Sequence, residues 1–299
     1  MSPSTPFQAC HTPIRVLFTL LIVSVATSSF DIPSGINNFS QRIENYNNNQ
    51  NNNPMRAWTC HGINQRDLVD RLRQAGIVQT PAVQKVMEMI DRANYIPVNP
   101  YMDAPQGIGF GQTISAPHMH GHVLEEIYPY LAGKDNLKLL DVGSGSGYLT
   151  ATMGRWIQPR VQEAPILGPG VTGKVFGIDV YPGLVDLAKE NIRKQDGDLL
   201  DSGLVTIQLG DGWKGLSAEA PFDAIHVGAA ADGMPFALVS QLKVGGVMII
   251  PIGGQNQIQY LYKIERVASK DPIGFDPQDY RLSKLLGVRY VPLVKTSRN

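Results

Sequence analysis

The chain has 299 residues, and its 26 Lys+Arg balance 26 Asp+Glu, so the formal net charge is zero. Neutrality removes any overall electrostatic reason to bind nucleic acid or an anionic membrane. At 43% apolar and 17% charged residues the chain is globular rather than disordered, and its two cysteines, Cys10 and Cys60, exclude a disulfide framework and an all-cysteine zinc site.

In chain order, Arg15 precedes an apolar run over residues 16–26, about half the roughly 20 residues that a bilayer core requires. With Ser24, Ala26 and Ser28, and with the glycosylation sequon at Asn38, this stretch has the form of a secretory signal. A leader without a role is the equal alternative. Residues 45–53 are nearly all Asn and Gln, too poor in apolar surface to offset their ordering entropy, and read as a disordered linker. The boundary is therefore placed after residue 54, with one folded domain over 55–299.

From there the pattern alternates. Asn64 caps a helix with Leu68, Val69 and Leu72 on one face, closed by Gly76. Thr80-Pro81 opens a second helix. Residues 94–114, rich in Pro, Gly and Asn, read as a long loop, and a third helix is expected over 117–131. Strands are expected at 137–142, 174–180, 205–209, 222–227 and 247–252. Helices are expected through Trp156, over 182–194 and around 235–242, with a closing strand pair at 258–267 and 285–293. Strands alternating with helices predict an α/β, doubly wound, Rossmann-like parallel sheet with helices on both faces, preceded by N-terminal helices.

Ligands of such sheets bind at the carboxyl ends of the strands. The run Asp141-Val142-Gly143-Ser144-Gly145-Ser146-Gly147 follows a strand directly. A dinucleotide fingerprint would need glycine at 148, where Tyr148 stands. The G-x-G-x-G form instead resembles motif I of class I S-adenosylmethionine-dependent methyltransferases. Asp179 and Val180 end the next strand, where a carboxylate can accept from both hydroxyls of a ribose. Asp211 and Gly212, in Gly210-Asp211-Gly212, end a third strand, placed for an adenine. Each acid alone reads as a helix N-cap; three in register read as a nucleoside pocket.

Longer motifs are more specific. The segment 99–120, the stretch 140–147, Thr172-Gly173-Lys174-Val175, Gly210-Asp211-Gly212, the stretch 221–231 and Tyr290-Val291-Pro292-Leu293 together resemble the protein-L-isoaspartate (D-aspartate) O-methyltransferase family. The resemblance covers nearly all of 55–299 and nothing earlier. It implies S-adenosylmethionine as methyl donor, no metal, and isoaspartyl-containing proteins and peptides as substrates. The reaction implied is methylation of the free carboxylate of L-isoaspartyl and D-aspartyl residues, which initiates repair through a succinimide. Neither a nucleic-acid partner nor a membrane span is expected, and the enzyme is expected to be a monomer. A non-catalytic isoaspartate-recognising adaptor and a carboxyl methyltransferase with another substrate are the alternatives.

The resemblance makes Ser115 the active-site serine, a hydrogen-bonding group that aims the substrate carboxylate; a cap for the following helix is its plainer role. It assigns Gln112, Thr113, Ile114 and His120 to the cofactor wall beside Asp141, Gly143, Ser144, Gly145 and Gly147. Residues 223–231 and 251–253 would hold an extended peptide through backbone groups, with His226, Val227, Gly228 and Ile252 as substrate contacts. The family usually has Thr after Val-Pro-Leu, where Val294 stands here, so Val294 and Asn299 are weaker cofactor candidates. His118, His120 and His122 lack an accompanying carboxylate motif for a metal, and no His/Asp pair is spaced as in a hydrolase. The family's methyl donor and substrates are chiefly intracellular, so the cytoplasm is expected, with the secretory pathway as alternative if the leader is functional.

Overall fold

The computed structural model describes residues 60–160, 163–269 and 276–295. The signal-like run, the sequon at Asn38, the Asn-rich tract, the boundary at Met55 and Asn299 lie outside these residues.

Helix α1 (Gln65–Gln74) starts where the Asn64 side chain accepts from the Asp67 N–H at 2.9 Å, and it closes before Gly76, which has φ +73°. Helix α2 (Pro81–Met89) begins with proline in its first turn. The segment read as a long loop contains a hairpin instead, β1 (Gln106–Gly109) and β2 (Gln112–Ile114). Its signal is absent from side-chain alternation because its geometry is set by the turn, where Gly109, Phe110 and Gly111 have φ of 94°, 54° and 69°. Helix α3 (Pro117–Ile127) is shorter than expected and ends in a 3-10 turn over Tyr128–Tyr130.

The remaining strands form one sheet: β3 (Leu137–Val142), β4 (Gly173–Asp179), β5 (Val205–Leu209), β6 (Phe222–Val227), β7 (Leu242–Ile252), β8 (Gln259–Arg266) and β9 (Tyr280–Val288). Their order is β5-β4-β3-β6-β7-β8-β9; β3 to β7 are parallel, and β8 and β9 add antiparallel at one edge. The chain runs outward from β3 to β5 and then returns to β6 on the other side of β3. The switch point therefore lies between the carboxyl ends of β3 and β6.

Successive residues of each central strand enter opposite cores. Leu139, Val175 and Ala224 pack with the helices on one face, and Leu140, Phe176 and Ile225 join the core on the other. The two faces are unequal. One carries α1 to α3 together with α4 (Tyr148–Ile157), α5 (Pro182–Gln195) and α6 (Gly197–Asp201). Among the described residues, the other carries the four-residue α7 (Phe236–Val239) and loop side chains such as Trp213 and Leu216.

Near the carboxyl end the register differs from expectation. The last strand is Tyr280–Val288, and Tyr290 to Leu293 leave the sheet. Pro292 has no N–H to give a ladder, and the side chain of Gln259, the first residue of β8, takes over. Its Oε1 accepts from the Tyr290 N–H at 2.6 Å and its Nε2 donates to the Tyr290 carbonyl at 3.2 Å. The released segment crosses to residue 230, where the Leu293 N–H meets the Ala230 carbonyl at 2.7 Å and the Ala230 N–H meets the Val291 carbonyl at 2.8 Å.

Candidate active site

The glycine turn is shaped by backbone. Gly143, Gly145 and Gly147 take φ of 76°, 52° and 85°, a left-handed conformation that favours glycine. The N–H groups of Gly143 and Ser144 both meet the Ile178 carbonyl, at 2.8 and 3.0 Å, tying the turn to β4. Across the switch point the Gly228 N–H donates to the Val142 carbonyl at 2.8 Å. Gly147 also serves packing: a Cβ there would stand 3.1–3.2 Å from Ala188 of α5, tighter than ordinary contact, so glycine lets α4 and α5 approach closely.

Asp179, buried at the end of β4, accepts from the Gly145 N–H at 3.0 Å and from the Tyr181 N–H at 3.1 Å. Burial raises its pKa from the ordinary carboxylate value, and the backbone N–H groups of Tyr181, Gly145 and Val180 oppose that. An ionised carboxylate has about four acceptor sites, so the bonds from Gly145 and Tyr181 leave room for further donors. The carboxylate faces a cleft of about 510 Å³, open to solvent, whose lining also includes Gln112, Thr113, Val180, Gly212 and Val294.

A second cavity of about 340 Å³, also open to solvent, adjoins it and shares Thr113, Gly143, Gly145 and Gly228 as lining. Ile114, Ser115, His120, Asp141, Ser144 and His226 are among the residues that line the remainder. The Ser115 side chain is hydrogen-bonded to that of Tyr290, a contact that works to lower the phenol's pKa, while burial is the larger effect and pushes it up to about 12. Helix α3 is capped by Ala116 without a side-chain bond, so the capping role considered for Ser115 is not realised. The Ser144 hydroxyl is buried and has no hydrogen-bond partner among the described residues.

Two histidines border this cavity with opposite neighbours. His226 Nδ1 lies 2.7 Å from Asp141 Oδ1, while His120 Nδ1 lies 3.1 Å from Arg92 Nη1. His120 is held well below the ordinary imidazole pKa by burial first, then by Arg92, His226 and His118. A close His/Asp pair was not expected from spacing; it arises because β3 and β6 are neighbours, with Asp141 in register with His226. Both Asp141 oxygens are engaged, since Oδ2 accepts from the Thr150 hydroxyl. Asp141 therefore supports the cavity through His226 and Thr150. His118 turns to Asp103, at 2.8 Å, and among the described residues no three His, Cys, Asp or Glu side chains converge as a metal site requires.

The Val227 side chain is fully buried and that of Ile252 nearly so, both in the core of the sparsely covered face, because strand alternation turns them away from the cavities; only their backbone groups are left to serve as the expected peptide contacts. Asp211 lines neither cavity; its Oδ1 accepts from the Trp213 N–H at 2.9 Å, closing a local turn, while its neighbour Gly212 lines the cleft. Arg92, Tyr290 and the wall residues Ile108, Tyr181 and Leu293 were missed by sequence reasoning. Ile108, Tyr290 and Leu293 lie within the motifs that carry the family resemblance, whereas no local signal marks Arg92 or Tyr181.

A glycine turn, a strand-end acid and a cleft at the switch point of this sheet define a class I S-adenosylmethionine-dependent methyltransferase. The family model described as Protein-L-isoaspartate(D-aspartate) O-methyltransferase (PCMT) matches residues 63–298. The chain belongs to this family. Proteins named protein-L-isoaspartate O-methyltransferase from Caenorhabditis elegans and Triticum aestivum are each 40% identical to it, over 214 and 233 residues. These alignments cover 72% and 77% of this chain and 89% and 91% of the relatives. Among solved structures, a Plasmodium falciparum protein described as a candidate protein-L-isoaspartate O-methyltransferase, in complex with S-adenosyl-L-homocysteine, is similar with a TM-score of 0.66. It is 33% identical, and the match covers 79% of this chain and 100% of that one.

Proposed function

We infer that this chain transfers a methyl group from S-adenosylmethionine to the free carboxylate of L-isoaspartyl and D-aspartyl residues in damaged proteins. The observation that carries the reading is the joining of two cavities, one holding the Asp179 carboxylate and the other Ser115, across the glycine turn of a chain in this family.

The residues present fit the methyl donor. Asp179 keeps acceptor sites for the ribose hydroxyls, and Ile108, Ile178 and Leu184 give the cleft apolar wall for a base. The orphaned Ser144 hydroxyl supplies a polar group to the adjoining cavity. S-adenosylmethionine, when bound, supplies an electrophilic methyl group on a positively charged sulfur. A substrate carboxylate with an ordinary pKa of ~4 is ionised at neutral pH, so the chain needs no strong base. The Ser115 hydroxyl donates to that carboxylate and turns one oxygen toward the methyl group. Orientation of this kind lowers a barrier by up to about 7–11 kcal/mol. Gly228, with no side chain, leaves room for an extended peptide beside His226. The methyl ester is then attacked by the neighbouring amide nitrogen, methanol leaves, and the succinimide hydrolyses in part to normal aspartate.

We further propose that 55–299 is the catalytic domain, that 1–54 is dispensable for activity, and that the enzyme works as a cytoplasmic monomer. The family's intracellular substrates and methyl donor support this placement. Expression of the full chain with a C-terminal tag tests it: a secreted product, or a glycan on Asn38, would refute the cytoplasm.

The activity is tested by incubating the protein with labelled S-adenosylmethionine and paired peptides that contain Asp or isoAsp. Base-labile label on the isoAsp peptide alone is the expected result. Label on both peptides points to another carboxyl methyltransferase, and label on neither points to an adaptor.

A further inference from the structure

Arg92 is the least expected residue beside the site. It is fully buried, and among the described residues no carboxylate pairs with it. Asp103 is near enough to act on it electrostatically, but that carboxylate is occupied by His118 and the Cys60 N–H. Burial lowers the guanidinium's pKa from its usual value, yet arginine stays protonated in proteins.

Its donors fan out in three directions. Nε donates to the Pro100 carbonyl at 3.0 Å, Nη2 to the Ser115 carbonyl at 3.2 Å, and Nη1 meets His120 Nδ1 at 3.1 Å. The Tyr148 ring lies under the guanidinium, 5.0 Å from centroid to carbon. A guanidinium has no acceptor. His120 Nδ1 must therefore offer a lone pair, and the single proton of the neutral ring sits on Nε2. The depressed pKa of His120 agrees, because an imidazolium would lose this bond.

The cavity bordered by His120 also receives the Ser115 side chain and the unpartnered Ser144 hydroxyl. A ring held as an N–H donor beside two hydroxyls suits an anion. We propose that Arg92 is a positioning residue that fixes His120 as an Nε2–H donor toward a carboxylate bound in this cavity, while holding the Ser115 backbone in place. The inference rests on the functional reading above, which provides two carboxylates: that of the methyl donor's amino-acid moiety and that of the isoaspartyl side chain.

Two measurements on the full chain test it. In the first, imidazole nitrogen NMR of the unliganded wild type, with His120 assigned through H120Q, is expected to show a protonated Nε2 and an unprotonated Nδ1 at neutral pH. A protonated Nδ1 would overturn the proposal without reference to any activity. In the second, calorimetry compares R92M with wild type for S-adenosylhomocysteine and for 5'-methylthioadenosine, which keeps the nucleoside but has no carboxylate. A hydrogen bond to a charged group corresponds to roughly a tenfold change or more. If the methyl donor's carboxylate is the partner, S-adenosylhomocysteine loses about tenfold and methylthioadenosine does not. If the substrate's carboxylate is the partner, both nucleosides bind as before and KM for the isoAsp peptide rises about tenfold. Equal losses for both nucleosides, or no change in any of the three, would overturn the proposal. A failure of the wild type to bind S-adenosylhomocysteine would count against the functional reading, while the NMR result still decides the role of Arg92 in fixing the ring.

Discussion

Asp141 and His226 stand side by side on neighbouring parallel strands, with Oδ1 2.7 Å from Nδ1. A carboxylate only accepts, so Nδ1 carries the hydrogen and Nε2 is left for the cavity. His120, on the same cavity, is held the opposite way round by Arg92. The site thus presents two imidazoles of contrasting polarity, each fixed by a buried charged side chain.

Ser115 touches the substrate carboxylate in this arrangement. Ser115→Ala is expected to lower kcat/KM about ten- to a hundredfold, the equivalent of a charge-assisted bond of roughly 1.5–3 kcal/mol. Affinity for S-adenosylhomocysteine should stay within about twofold. Steady-state kinetics with an isoAsp peptide, alongside calorimetry, checks both; an unchanged kcat/KM removes the assignment.

Asp179 has the converse role. Asp179→Ala is expected to weaken S-adenosylhomocysteine by at least about tenfold, because two acceptor contacts to a ribose are lost. Burial raises the wild-type carboxyl's pKa, so it takes up its proton at a higher pH than a free aspartate would. Nucleoside affinity should therefore begin to fall on acidification above the usual value of 3.8. Calorimetry across a pH series checks the direction.

Stability should carry the signature of His120. Its folded pKa lies well below 6.5, so the unfolded chain binds the proton more readily. The contribution is complete above 6.5 and is lost as the pH falls below that value toward the depressed one. His122 is shifted in the same sense. His120→Gln keeps an acceptor for Arg92 and removes one titrating group. Melting curves at pH 7.5 and 5.5 should show a smaller loss of Tm in this variant than in wild type.

A buried ion network away from the cavities offers a purely structural test. Arg155, with side-chain exposure of 1%, bonds to Asp196 at 2.9 Å and to Asp198 at 2.6 Å. Asp196 also accepts from the Tyr95 hydroxyl at 3.0 Å. Asp196→Ala leaves Arg155 with Asp198 as its remaining carboxylate partner and deprives the buried Tyr95 hydroxyl of its acceptor, and is expected to cost about 1–3 kcal/mol. Denaturant unfolding should show the loss, while kcat of the folded fraction remains near wild type.

Legibility in the sequence followed locality. β5 and β6 lie where expected, because a buried parallel strand is a continuous apolar run between turn residues. The glycine turn and Asp179 were readable for the same reason: each sits at the end of such a run. The hairpin at Gln106–Ile114 was hidden because its geometry is set by the backbone of Gly109, Phe110 and Gly111. The inward burial of the Val227 and Ile252 side chains was not legible, because nearness to a site along the chain does not say which way a strand residue points. Arg92 and the Asp141–His226 pair could not be read at all, since their partners are 28 and 85 positions away.

The boundary between the two cavities is formed by Thr113, Gly143, Gly145 and Gly228. Three of these have no side chain, so truncation scanning has almost nothing to remove there and would report the border as inert. The informative experiment at this border is enlargement. A methyl group at Gly145 would stand 3.1 Å from Ile108, and one at Gly228 would stand 3.0 Å from the Gly143 carbonyl. Each would intrude where the two ligands must approach each other, which makes the smallest residues of the site its least replaceable.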